Sequence, residues 1–186
     1  ICFVLAGACV AYVPHDPALD VMRGRLIAGG ISEIDVLFHD ESAAATITGI
    51  KSGTARRLFV NGISTSDNGQ VGSMMALLGT LFARESNRTL VICFGGGNTF
   101  RAAALMGAKV DVVELISDVV RRAPEFHADA LEHLRNEKHS IYIEDGRNFL
   151  LRTRNNYDVI IVDGTPPLYS AGSVNLYTQE FLRLAH

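Results

Sequence analysis

The sequence predicts an α/β fold, a parallel sheet flanked by helices with a small antiparallel β-domain before it. Three observations predict it. From Thr89 onward, short runs rich in β-branched residues alternate with helical stretches, the pattern of strands joined by helical crossovers. Between Ile34 and Val60, three β-type runs are separated by turn residues and close on Asn61-Gly62, a hairpin-type turn. Where the two patterns meet, Thr89–Phe94 runs into Gly95-Gly96-Gly97 and then into an alanine-rich stretch, which reads as strand, tight turn, helix.

The elements follow in order. Ile1 to Val13 is apolar and uncharged, too short for a bilayer span of about 20 residues. It is expected to be either the exit end of a transmembrane helix or a buried element of this domain. Without an initial Met, the chain is expected to be a piece of a longer one. Pro17 to Gly30 is expected to be a short amphipathic helix stopped by Gly-Gly. Strands are expected at Ile34–Phe38, Ala43–Ile50 and Arg57–Val60, with His39 to Ser42 and Lys51 to Gly53 as turns. Ser64 to Gly72 reads as a loop, and Ser73 to Arg84 as a helix whose methionines belong to the core. Residues 1–30 thus form an N-terminal segment and linker, 31–66 the β-domain, and 67–186 the parallel-sheet domain.

In that last part, strands are expected at Leu90–Phe94, Val110–Val113, Ile141–Ile143 and Val159–Val162. Helices are expected from Asn98, which can cap its own helix, to Met106, from a Ser117-Asp118 cap, over Ala128–Asn136, over Arg147–Leu151 and over Leu176–Ala185. Thr165 to Ser173 is a Pro/Gly/Ser loop. Four strands are few for a doubly wound sheet, which again suggests a truncated fragment.

Composition narrows the function. A formal charge of −3 and pI near 6.1 argue against nucleic-acid binding. Arg56-Arg57 and Arg121-Arg122 read as solvated pairs. Cys2, Cys9 and Cys93 lack metal-ligand spacing, and Cys93 reads as a small core residue. A disulfide scaffold is disfavoured, so a reducing, cytoplasmic setting fits better. His127, His133 and His139 read as solvated. No metal is expected. No Gly-Lys-Ser/Thr follows the glycines, so a P-loop is disfavoured. Phe100 occupies the third position of a G-x-G-x-x-G fingerprint, which disfavours a nicotinamide dehydrogenase.

Ligands of open parallel sheets sit at the carboxyl ends of the strands. Here the first end carries the glycine turn, and the second carries Glu114, 17 positions after Gly97. An acid there can accept both hydroxyls of a ribose; the alternative is a carboxylate capping the following helix. The third end carries Asp145-Gly146, suited to an adenine edge or, alternatively, to a plain turn. The fourth carries Asp163, able to hold a substrate amine or take its proton.

These motifs resemble a known family. Leu90–Gly97, Val112-Val113-Glu114-Leu115, Glu144-Asp145-Gly146-Arg147 and Tyr157–Asp163 resemble, in order and spacing, the spermidine synthase family of polyamine aminopropyltransferases. Arg57–Gly62 fits that family's β-domain, and Leu176–Phe181 the helix after its catalytic strand. The chain looks most similar to the bacterial branch that follows a transmembrane region, which would account for Ile1–Val13 and place the protein at the cytoplasmic face of a membrane.

The resemblance implies a Rossmann-like, methyltransferase-type fold and a transferase of alkyl groups other than methyl. Decarboxylated S-adenosylmethionine, a cosubstrate and not a permanent cofactor, would lie over Gly95, Gly96, Gly97 and Asn98. Its ribose would meet Glu114 and Leu115, and its adenine Asp145 and Gly146. Asp163 would be catalytic and would hold an amine such as putrescine, with Tyr169 or Tyr177 as further amine contacts. A homo-oligomer is expected.

The chain departs from the family's pattern. Asn98 stands where the family has Asp, Thr99 and Phe100 where it has glycines, and Pro166 where it has a second catalytic Asp. Alanines near Ala43–Ala45 replace its Tyr-Gln pair, and Ser73-Met74-Met75 its Tyr-His-Glu. The nucleoside half of the site is therefore largely kept and the diamine half is thinned. Two alternatives stay open: a methyltransferase using intact S-adenosylmethionine, and a non-catalytic nucleoside- or polyamine-binding domain.

Overall fold

A computed structural model of the chain describes residues 16–31, 33–168 and 171–186. The apolar run of residues 1–13, with Cys2 and Cys9, lies outside the described residues, as does Tyr169. The chain divides into two units at Asp35/Val36, and of the first only residues 16–31 and 33–35 are described.

In the first unit, helix α1 (Pro17–Ala28) starts at Asp16, whose carboxylate accepts the N–H of Leu19, and ends on Gly29. Its apolar residues are spread around the axis, so the expected amphipathic face is absent.

The second unit begins with a four-stranded sheet in the order β1 (Asp35–Glu41), β2 (Thr46–Ser52), β3 (Ala55–Val60), β4 (Ile63–Asp67). β2, β3 and β4 pair antiparallel. Asn61 and Gly62 both take positive φ (50° and 78°), the twist that a two-residue hairpin between right-twisted strands requires. Two readings needed correction. His39 lies within β1, where its Nδ1 is 2.7 Å from Thr48 Oγ1. Ser64 to Asp67 belongs to β4, because pairing with β3 outweighs the low strand propensity of its serines.

Helix α2 (Val71–Phe82) leads into the parallel sheet of β5 (Arg88–Ile92), β6 (Lys109–Glu114), β7 (Ser140–Ile143) and β8 (Val159–Val162), in the order β7-β6-β5-β8. All three pairings are parallel. The order reverses between β5 and β8, the switch point at which such sheets bind ligands. Between the strands lie α3 (Asn98–Leu105), α4 (Ser117–Arg121), α5 (Ala130–Arg135) and α6 (Gly146–Arg152); after β8 come a 3-10 turn (Ala171–Tyr177) and α7 (Gln179–Ala185).

Side chains alternate between two buried faces. Val91, Val110, Val112, Val159 and Ile161 join Phe100, Phe38 and Ile47 on one side. Leu90, Ile92 and Val113 join Phe149 and Phe181 on the other. Helix α2 turns Gly72 and Ala76 inward and leaves Val71, Met74, Leu78, Leu81 and Phe82 exposed. Met75 packs against the core as expected, whereas Met74 is exposed.

Both arginine pairs contribute more than solvated surface. Arg122 grips Asp40 of β1 with Nε and a terminal nitrogen, each at 2.7 Å, and stacks over the Phe38 ring at 4.9 Å. Arg56 of β3 donates to the Glu125 carbonyl. These contacts tie the small sheet to the helical layer. The histidines are likewise not free in solvent. His133 and His139 meet Phe100 edge-on, and His139 Nδ1 accepts the Val110 N–H at 3.2 Å. Burial lowers the pKa of His127 and His139.

Candidate active site

The tips of the parallel strands are held in register beyond the last paired residues. The Cys93 N–H donates to the Val113 carbonyl, the Asp163 N–H to the Ile92 carbonyl and the Glu144 N–H to the Glu114 carbonyl, at 2.9, 2.9 and 3.0 Å. Side chains following the strands are thereby brought to one rim. There they line a cavity of about 490 Å³, within the ordinary range of small-molecule sites, about 300–1,000 Å³. Glu114, Leu115, Asp145, Gly146 and Asp163 all line it. The small sheet supplies the opposite wall with Ala44, Val60, Asn61 and Thr65.

Glu114 is 7% exposed. Its Oε2 accepts the N–H of Phe94 and its Oε1 that of Ile116, each at 2.8 Å. Burial pushes its pKa up, and the N–H groups of Ile116, Phe94, Leu115 and Gly95 oppose that rise. Neither Ser117 nor Asp118 caps α4; Ile116 occupies the cap position. Asp145 caps α6 by accepting the Asn148 N–H on Oδ1 at 2.9 Å.

The glycine turn is built between two elements. Gly97 has φ of 86°, where a side chain would be strained and its Cβ would stand 3.0 Å from the Phe94 ring. Gly97 is also the cap residue of α3. Asn98 therefore does not cap the helix; it is the first helical residue, and its amide donates to the Asp67 carbonyl. The Gly96 N–H donates to Ser66 Oγ at 2.9 Å. The turn is thus seated on β4 while its neighbour Phe94 meets Glu114.

Asp163 is partly buried. Thr99 Oγ1 donates to its Oδ2 at 2.6 Å. Burial raises the Asp163 pKa and the Thr99 hydrogen bond opposes the rise. Tyr177 donates its hydroxyl to the Gly164 carbonyl at 2.5 Å and does not line the cavity. Its hydroxyl oxygen keeps lone pairs that could accept from an ammonium, but its place outside the cavity lining gives the amine-contact role no support.

Four residues that sequence reasoning left out belong to this region. Cys93, read as core, lines the cavity with φ of 71°, uncommon outside glycine. Burial, then the charges of Glu114, Asp163 and Asp145, push its thiol up to about 12. Glu144 lines the cavity and pairs with Arg152. Thr99 and Ser66 hold Asp163 and the turn from behind. Cys93 and Glu144 each directly follow a parallel strand, a signal that was available. Ser66 gave none, because its contact with Gly96 spans thirty residues. Among the described residues no group of His, Cys, Asp and Glu is placed to hold a metal ion.

Residues 70–186 match a protein family described as "Spermine/spermidine synthase domain". The polyamine aminopropyltransferase of Clostridium botulinum (strain Alaska E43 / Type E3) is 35% identical over 96 residues, 50% of this chain and 33% of that protein. That of Sulfurisphaera tokodaii is 28% identical over 114 residues, 57% of this chain and 37% of that protein. Among solved structures, a spermidine synthase in complex with the transition state analogue AdoDATO superposes with a TM-score of 0.70 at 21% identity, covering 80% of this chain and 53% of that one. Spermidine synthase from Thermotoga maritima gives 0.67 at 20% identity. The chain spans about a third of the length of these curated relatives. With more than half of its residues matched by that one domain, on an α/β fold shared with solved spermidine synthases, the chain belongs to the spermine/spermidine synthase family.

Proposed function

We propose that this chain carries the nucleoside site and the proton acceptor of an aminopropyltransferase, which moves the aminopropyl group of decarboxylated S-adenosylmethionine to an amine such as putrescine. One observation carries the reading: Glu114, Asp145 and Asp163, from three different strand tips, line one cavity with Cys93, two residues before the glycine turn, whereas Gly95, Gly96, Gly97 and Asn98 themselves do not line it. Glu114 and Leu115 would take the ribose, Asp145 and Gly146 the adenine. The glycine turn would lie under the sulfonium end. The acceptor nitrogen, once neutral, attacks the methylene next to the sulfonium. The C–N bond forms, the C–S bond breaks with its electron pair going to sulfur, and methylthioadenosine leaves. Asp163 accepts the proton that the amine gives up. Its burial-raised pKa narrows the mismatch with an amine near 10. Alignment of nucleophile and leaving group supplies the rest of the rate.

The apolar run at residues 1–13 supports the membrane-attached bacterial branch, and the exposed apolar face of α2 supports a homo-oligomer. Among the described residues no helix is long and apolar enough to cross a membrane. Fractionation of cells expressing the full-length protein tests the first, and size-exclusion chromatography the second.

The deciding experiment incubates the full-length protein with decarboxylated S-adenosylmethionine and a panel of mono- and diamines. Methylthioadenosine release is expected, with Asp163→Asn slower by about 10²–10⁴-fold, the usual worth of a positioned base. S-adenosylhomocysteine formed from intact S-adenosylmethionine would instead identify a methyltransferase. Calorimetric binding without turnover would identify a binding domain.

A further inference from the structure

Thr99 is the second residue of α3 and is wholly buried. A buried hydroxyl needs a partner, and this one has Asp163 Oδ2 at 2.6 Å. Its place is made by α2. A Cβ on Gly72 would stand 2.5 Å from Thr99 Oγ1 and 3.1 Å from the Thr99 backbone nitrogen, so only a glycine lets the helices approach with the hydroxyl between them. Asp163 is held a second time through its backbone, whose N–H donates to the Ile92 carbonyl. Backbone and Oδ2 are both committed, and among the described residues Oδ1 is left as the carboxylate's free acceptor on the residue that lines the cavity.

We propose that Thr99 is a positioning residue for the transfer reaction: its hydroxyl clamps Oδ2 of Asp163 from behind the sheet, so that Oδ1 is presented to the acceptor amine. This rests on the reading of Asp163 as the group that receives the proton. The clamp acts on an anion, and a hydrogen bond to a charged group favours its ionised form. The other titratable groups near Asp163 are Cys93 at the tip of β5 and Tyr177 of the turn after β8. The Cys93 thiol is pushed up to about 12 and the Tyr177 phenol is also raised, so both stay neutral where Asp163 titrates. Glu114 and Asp145 face Cys93 from the neighbouring tips.

The test compares the full-length wild type with Thr99→Val and Thr99→Ser by three readouts. These are carbon-13 NMR titration of the Asp163 carboxyl, the pH profile of methylthioadenosine release, and calorimetric binding of methylthioadenosine. Thr99→Val is expected to raise the Asp163 midpoint and the acid limb of the rate profile together by about one pH unit, the size expected for losing a charge-assisted bond. Nucleoside binding should stay unchanged, and Thr99→Ser should restore the wild-type profile. If Thr99→Val does not fold, Thr99→Ala removes the hydroxyl without adding bulk. Wild-type midpoints in these variants, with an active wild type, overturn the clamp alone. An inactive wild type whose Asp163 midpoint still moves in Thr99→Val overturns the transfer reading and leaves the clamp standing.

Discussion

Glu114 closes the gap between two strand tips by accepting the backbone N–H of Phe94 at 2.8 Å. Phe94 leads directly into the glycine turn, so the carboxylate proposed for the ribose also fixes where the turn begins. A second bond from the Ile116 N–H holds its other oxygen. The price of this arrangement is a buried anion whose pKa is raised by burial.

That gives a prediction with a definite sign. Burial holds the folded pKa of Glu114 above its ordinary carboxylate value. Its contribution to stability is therefore fully present below the unfolded pKa and is lost as pH rises through the folded one. Urea unfolding of the wild type and Glu114→Gln between pH 4 and 7 should show the wild type losing stability relative to the variant as pH rises. The amide adds a constant offset, because its NH₂ cannot accept one of the two N–H groups. That offset is about 1–3 kcal/mol, and nucleoside binding by calorimetry should weaken with it.

The opposite sign is expected at Asp129. Arg101 Nε lies 2.8 Å from both carboxylate oxygens and Nη2 2.7 Å from Oδ2, joining α3 to the residue before α5. The hydrogen bond from Arg101 lowers the Asp129 pKa to about 2. This contribution is present above the ordinary aspartate value of 3.8 and is lost as pH falls toward about 2. Acid unfolding followed by circular dichroism should be shallower across that window for Asp129→Asn than for wild type.

The small sheet forms one wall of the cavity, and Asp40 with Arg122 is its two-pronged attachment. Removing Asp40 leaves Arg122 without its bidentate acid, and removing Arg122 leaves Asp40 with only the longer contact to Arg121 at 3.6 Å. Asp40→Ala and Arg122→Ala are each expected to cost about 1–2 kcal/mol, with a coupling near 1 kcal/mol in the double-mutant cycle. Looser attachment should also raise the Kd for methylthioadenosine, because Ala44, Val60, Asn61 and Thr65 would be held less firmly against the strand tips, by the remaining bonds of Arg56, Ser66 and Asp67. Unchanged nucleoside affinity in both variants would separate the wall from the site.

Sequence reasoning reached the parts of this structure that depend on near neighbours. The glycine turn, the four parallel strands and the acids that follow them are local patterns, and their convergence follows from the topology of a parallel sheet. What it missed depends on distant partners. Thr99 was legible only as a departure from a glycine, since its value lies in Asp163, 64 residues away, and in the space left by Gly72. Ser64 to Asp67 has a polar loop composition and becomes a strand only because β3 lies beside it. Arg122 looked like a solvated charge because Asp40 is 82 residues upstream. The helix caps failed for a nearer reason: a glycine in the left-handed region took the cap of α3, which freed Asn98 to reach Asp67.

Gly146 tests the junction between sheet and cavity. It follows Asp145, opens α6 and is buried against β5. A Cβ there would stand 2.4 Å from Ile92 Cγ2, and Ile92 is itself 1% exposed and lines the cavity. Ile92 is clustered with Leu90, Val113 and Phe149, and the clashing methyl is a branch on its Cβ, so relief toward the cavity would disturb that cluster. Gly146→Ala is therefore expected to shift α6 away from the strand tips, and overpacking of this kind costs about 1–3 kcal/mol. The shift also carries Asp145, whose carboxylate caps the same helix through Asn148. Thermal unfolding should show the stability loss, and calorimetry a weaker affinity for methylthioadenosine. In Gly146→Ala combined with Ile92→Val the smaller side chain should relieve the overlap and recover part of both. A double variant as impaired as Gly146→Ala alone would mean that the glycine is needed for some reason other than its approach to Ile92.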